Sequence, residues 1–201
     1  MVTKADQKAT LWLACSVFRP ELTALVERGE LDCRIRYLSS TMHMVPVKLD
    51  KRMQKLVGAE RKRGNRVLMV YGDCHPHMHD LEQADDVART HGMHCGEILL
   101  GKKRYKELLR EKAFLLLPEW AMRWREILTK LEDLDEASTI ELLRERHDKF
   151  VYLDTGVVPI PVDEIRACAA YFDLPLEIEV VSLEYLQSVI KDAQDQLEPS
   201  D

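Results

Sequence analysis

The chain has 201 residues, 46% of them hydrophobic and 32% charged, with eight Gly and eight Pro; this balance excludes a disordered or fibrous class and allows one sizeable core. A formal charge of −6 excludes a nucleic-acid backbone as the main partner, because that binding needs a net basic face which displaces counterions. The polar start MVTKADQK followed by about eight apolar residues is too short to span a membrane and lacks a small-residue cleavage site, so the expected location is cytoplasmic.

In chain order, short apolar runs alternate with longer amphipathic stretches, the pattern of βαβ units. The expected fold is α/β and Rossmann-like, a largely parallel sheet of about six strands with helices on both faces. It forms a single domain over 1–201, ordered from about 10 to 196 with frayed ends. The expected strands are Thr10 to Cys15, Cys33 to Leu38, Arg66 to Gly72, Ala113 to Pro118, Lys149 to Asp154 and Leu176 to Val181. Helices are expected at about Pro20 to Arg28, Val47 to Lys62, His79 to His91, Cys95 to Glu111, Trp120 to Glu132, Ser138 to Arg146, Val162 to Phe172 and Leu183 to Gln196.

Local signals set some boundaries. Ser138 with Glu141 three residues on has the spacing of a capping box, and Ser182 and Pro161 read as helix starts. The basic run Lys48 to Arg66 carries Leu49, Met53, Leu56 and Val57 at helical spacing. It reads as the solvated side of an amphipathic helix in preference to an anion site.

The five cysteines are expected reduced, as metal ligands, nucleophiles or buried apolar groups. Cys15 ends the first strand, Cys74 follows the VLMVYG strand, and Cys95 opens a helix; in an open α/β sheet, ligands bind beyond the carboxyl ends of the strands, where these three can meet. No CxxC pair exists, so this argument rests on topology, with buried metal-free thiols as its alternative. Cys33 and Cys168 lie inside a strand and a helix, where core packing accounts for them. Among the histidines of VYGDCHPHMHD, His77 and His79 read as solvent residues, whereas His75 beside Cys74 suits proton transfer or ligation. His43 follows the second strand and can reach the same crevice.

The blocks LACSVFRPEL, YLSSTMHMVPVKLDKRMQKL, VLMVYGDCHP, HCGEILLGKKRY, FLLLPEWAMRW and VYLDTG, spread from about Leu11 to Ile190, resemble the DUF1638 family, whose function is not established. The resemblance places family cysteines on Cys15, Cys74 and Cys95 and a family histidine on His43; Met44 departs from the family's following Asn. It implies an α/β domain with a Cys-rich pocket and a loose link to corrinoid-dependent methyl transfer in anaerobic microbes. A corrinoid cofactor, and a corrinoid or methyltransferase protein as partner, are expectations from that link.

Three thiolates and one imidazole (Cys15, Cys74, Cys95, His43) would give a closed structural zinc tetrahedron, whereas three thiolates alone leave a position open for catalysis. Zinc is the first expectation and an open [4Fe–4S] cluster the alternative. His75 and Glu97 are the expected acid/base groups, Glu97 alternatively complementing its helix dipole. Glu119 and Trp120 are expected to line the pocket for a small-molecule or cofactor ligand, with Trp120 alternatively packing a helix. Asp154 and Thr155 are expected to hold an anion or cap a turn. A metal–thiolate enzyme and a non-catalytic metal or corrinoid carrier both remain open.

Overall fold

The computed structural model describes residues 9–129 and 135–198. The polar start at 1–8, the end of the expected helix to Glu132 and most of the expected frayed tail lie outside the described residues.

The molecule is α/β with two parallel sheets instead of the one expected. The first has order β2-β1-β3-β4, from Thr10–Cys15 (β1), Arg34–Leu38 (β2), Arg66–Val70 (β3) and Val87–Arg89 (β4); the second has order β5-β6-β7, from Ala113–Leu116 (β5), Lys149–Asp154 (β6) and Leu176–Val180 (β7). Residue type explains each strand's position. β3 and most of β1 and β6 are buried on both faces, as apolar central strands of parallel sheets must be. β2 (RIRYL) alternates exposed arginines with half-buried Ile35 and Tyr37, and β7 (LEIEV) is largely exposed and carries Glu177 and Glu179; both form edges, where charges discourage further pairing.

The helices are Arg19–Glu27 (α1), Pro46–Lys62 (α2), Met78–Leu81 (α3), Cys95–Leu100 (α4), Lys102–Arg110 (α5), Pro118–Met122 (α6), Trp124–Leu128 (α7), Glu136–Arg146 (α8), Val162–Phe172 (α9) and Glu184–Asp195 (α10). Leu49, Met53, Leu56 and Val57 face the core from α2, so its basic residues form the solvated side.

Five sequence readings change. The expected helix from His79 to His91 is one turn of α3 followed by β4, whose pairing with β3 from Val67↔Val87 to Met69↔Arg89 outweighs the apolar spacing. The expected helix from Cys95 to Glu111 breaks at Gly101 (φ 78°), and the next breaks at Arg123. The cap of α8 is Asp135, which accepts the Ser138 N–H at 2.8 Å; Ser138 is already helical. The sheet divides after β4: among the described residues, β5 pairs only with β6.

α10 follows β7 but packs on α4, β3 and β4 of the other sheet. Its Leu186, Val189, Ile190 and Ala193 join one apolar cluster that also contains Trp12, Leu68, Val151 and Leu153, so residues of both sheets share a core. A smaller cluster of Trp124, Phe150, Phe172 and Cys168 lies on the outer side of the second sheet.

Between the sheets runs a polar seam. Glu119 accepts from Ser40 Oγ at 2.9 Å and Ser16 Oγ at 3.4 Å and pairs with Arg123; the Ser40 N–H donates to Ser16 Oγ at 2.8 Å. In the opposite sense, Glu21 of α1 accepts from Thr155 Oγ1, after β6, at 2.9 Å. Glu21 is wholly buried, its Oε2 has no partner in the structure, and the nearby Tyr152 hydroxyl is likewise unpartnered. Burial, against a lesser pull from hydrogen bonds, pushes the Glu21 carboxyl up to about 7, with Glu119 adding repulsion.

Because the folded value lies above the ordinary 4.5, the folded chain binds more protons between the two, and stability falls as pH rises through that window. Glu21→Gln should therefore flatten the pH dependence of denaturant midpoints between about pH 5 and 7 and stabilise the chain by on the order of 3 kcal/mol above it. An unchanged slope would refute this account of Glu21.

Candidate functional site

The carboxyl ends of β1, β3 and β5 open on one cavity of about 420 Å³, lined by Cys15, Cys74 and Cys95 together with His43, Tyr71 and Trp120, and largely apolar elsewhere. This is the crevice where parallel α/β sheets place ligands. Cys15 is the last residue of β1, Cys74 sits four residues past β3, and Cys95 opens α4. The Cys95 thiol interacts with those of both Cys15 and Cys74.

The loops bearing Cys74 and Cys95 are held by backbone. The Asp73 N–H donates to the Met93 carbonyl at 2.8 Å. A Cβ at Gly72 would stand 2.6 Å from that same oxygen and 2.9 Å from its carbon. Gly72 is thus required for close approach of two main chains; its φ is not in the left-handed region, so the requirement is one of space and not of backbone conformation. At Gly96 the constraint is softer, since a Cβ there would meet a side-chain end, Leu115 Cδ1, at 2.7 Å and no main chain.

The thiols are electrostatically unequal. A hydrogen-bonding interaction with Cys95 lowers the Cys74 pKa against the cost of burial, with Arg89 helping. Cys95 is held well above the ordinary thiol range by its interactions with Cys15 and Cys74 and by burial. Away from the cavity, burial pushes Cys168 up to about 12, and burial with Asp32 pushes Cys33 up to about 11, as for inert packing thiols.

The structure also places each remaining candidate. His43 donates from Nδ1 to the Ser40 carbonyl, which leaves Nε2 with its lone pair. Its ring stacks on Trp120 with centroids 5.4 Å apart. Among the described residues, no group of three or more His, Cys, Asp or Glu has the arrangement of a preformed metal cage. His75 lines an adjoining cleft with Cys74, Asp73 and Arg89 instead of the thiol cavity. It lies 3.6 Å from Asp50 Oδ1, and burial lowers its pKa. Glu97 accepts the Met93 N–H at 3.0 Å, closing the turn before α4. Glu119 turns to the seam, Asp154 accepts the Gly156 N–H at 3.0 Å, and Thr155 is engaged by Glu21. His77 and His79 are exposed, bonded to Asp50 and Glu82.

Sequence reasoning missed Glu21 and Asp73. Glu21 in RPEL has the signature of an ordinary first-turn acid, whereas Asp73, beside Cys74, was available to the strand-end argument and lines the cavity.

Gly72→Ala should drive the two loops apart, destabilise the chain by about 1–3 kcal/mol as overpacking does, and separate Cys74 from Cys95. Cross-linking of these thiols by a short bifunctional alkylating reagent measures the separation. Cross-linking at the wild-type rate would show that the loops do not depend on Gly72.

No curated protein and no solved structure matches the chain. Among the described residues no helix is long and apolar enough to cross a membrane. The pattern of the family described as "Protein of unknown function (DUF1638)" matches residues 37–190, from β2 into α10, which includes Cys74 and Cys95 and leaves Cys15 outside. That match covers most of the sequence, and the chain belongs to the DUF1638 family.

Proposed function

We propose that this chain is a metal–thiolate protein in which Cys15, Cys74 and Cys95 bind a soft divalent metal, zinc first, beside the apolar cavity. The observation that carries this reading is the convergence of three thiols from separate strand ends, with Cys95 beside both others. Three sulfur donors suit zinc or an iron–sulfur cluster and disfavour magnesium and calcium. His43 Nε2 is the fourth candidate donor, its tautomer set by the Ser40 carbonyl.

With three sulfur ligands, the metal would supply a Lewis-acidic position facing the cavity. The chain's own residues would do the rest. Tyr71, whose hydroxyl donates to the Ala14 carbonyl at 3.3 Å, fixes the backbone before Cys15. Trp120 and the surrounding apolar side chains exclude water. The family resemblance adds one-carbon, corrinoid-linked methyl chemistry as the proposed setting.

A carrier that holds its metal or a corrinoid without turnover is the second reading. It is favoured by one observation: Glu97 is committed to a backbone N–H, and His75 opens on a different cleft. His75→Gln and Glu97→Gln should then leave metal content unchanged.

Anaerobic purification of the full chain and elemental analysis test the main reading. Stoichiometric zinc is expected, with Cys15→Ser, Cys74→Ser or Cys95→Ser each costing more than the roughly 10–100-fold in affinity that losing an outer partner costs, and Cys33→Ser costing nothing. Iron with a visible thiolate-to-iron absorption would replace zinc by a cluster. A metal-free chain with three freely alkylated thiols would overturn the reading.

A further inference from the structure

The thiol cavity has an electrostatic character that the metal reading leaves unused. Among the described residues its lining includes no Lys or Arg, while Asp73 and three cysteines contribute to it. Arg89, the guanidinium that acts on Cys74, is held by Asp73 at 2.8 Å and Glu82 at 2.9 Å, so this charge is more than offset. His147 on the far wall is kept neutral by burial, which lowers its pKa. A phosphate, carboxylate or nucleotide would therefore meet no Lys or Arg here.

The walls are aromatic and close to continuous. Trp120 packs on His43 at 5.4 Å and on Phe114 at 6.4 Å between centroids, and Phe114 meets His147 edge-on at 5.1 Å. Tyr71 and Tyr105 face the same space. Of the hydroxyls, Ser40 Oγ donates to Glu119 and Ser39 Oγ pairs with Thr41. A primary ammonium is a compact, strongly hydrated charge whose three N–H donors must each be matched again once it leaves water for a mostly apolar wall. A cation whose charge is sheathed in alkyl groups has no such requirement, and it gains from aromatic faces and from nearby negative charge in a dry site.

We infer that the cavity between Cys74, Cys95 and the Trp120–Phe114 wall binds an alkylated onium cation, a quaternary ammonium or tertiary sulfonium compound. The inference rests on the proposed metal–thiolate site for part of its negative charge, since a divalent metal with three thiolates is a net anion. The aromatic wall supplies most of the rest, with a smaller share from Asp73, which is exposed and paired with Arg89. The indole Nε1 of Trp120 is buried without a partner, and an uncharged oxygen on the ligand would satisfy it.

Choline, its neutral carbon isostere 3,3-dimethyl-1-butanol and the anion 3,3-dimethylbutanoate differ in charge at nearly constant shape. Each is titrated calorimetrically into the full chain, with metal content measured on the same samples. Choline should bind at least about tenfold more tightly than the neutral isostere, and the anion should not bind. Trp120→Leu keeps an apolar wall but removes its π face and should bring the choline-to-isostere ratio close to unity. Phe114→Leu serves the same purpose if the first variant does not fold. Equal or tighter binding of the neutral isostere, binding of the anion, or no binding of choline would overturn the inference. A chain that holds stoichiometric zinc without preferring choline would refute the onium ligand and leave the metal reading standing. A metal-free chain that prefers choline would do the reverse.

Discussion

The constraint on which the site depends is an approach of two main chains with no space for a side chain between them. The loop after β3 and the loop after β4 meet where Gly72 lies against the Met93 carbonyl, and the Asp73 N–H closes the contact. Parallel strands alone place loop ends in the same region; they do not bring them within reach of one another. That contact sets Cys74 near Cys95, and β1, which pairs with β3 from Thr10↔Arg66 to Ala14↔Val70, carries Cys15 to the same edge. Backbone geometry therefore fixes the thiols more than their own surroundings do.

The second sheet completes the site from the other side. β5 ends at Leu116, and Pro118 at the first turn of α6 aims Glu119 at the seam and Trp120 into the cavity. Adjacent residues thus have divided tasks: one ties the sheets together and the next forms the wall. Ser16 follows Cys15, and Ser40 stands three residues before His43, so the same carboxylate anchors segments that carry two of the proposed metal donors.

Much of this was legible in the sequence. The strand-end argument needs only the approximate end of each apolar run: that of β1 was readable to the residue and that of β3 to within two, which sufficed to bring Cys15 and Cys74 to one edge. Side-chain direction was not legible in the same way. His75 is next to Cys74 in sequence and shares the adjoining cleft with it, but of the two only Cys74 also lines the thiol cavity, because the chain turns between Gly72 and Met78. Glu21 was hidden because its partner Thr155 lies 134 residues away, and nothing local distinguishes a buried acid from a solvated one. The two-sheet division was illegible because β4 is three residues long and its apolar pattern also fits a helix.

The return of α10 to the first sheet has a consequence for how the chain assembles. The helix that covers β3, β4 and α4 comes from the far side of the second sheet, more than eighty residues after Cys95. Loop closure over such separations slows folding, and until it occurs, Ile98 and Leu99, buried in α4 behind the Cys95 turn, lack their apolar cover. The setting of the Cys95 turn thus depends on one of the longest-range contacts in the fold, so whatever loosens α10 from α4 would loosen that turn as well.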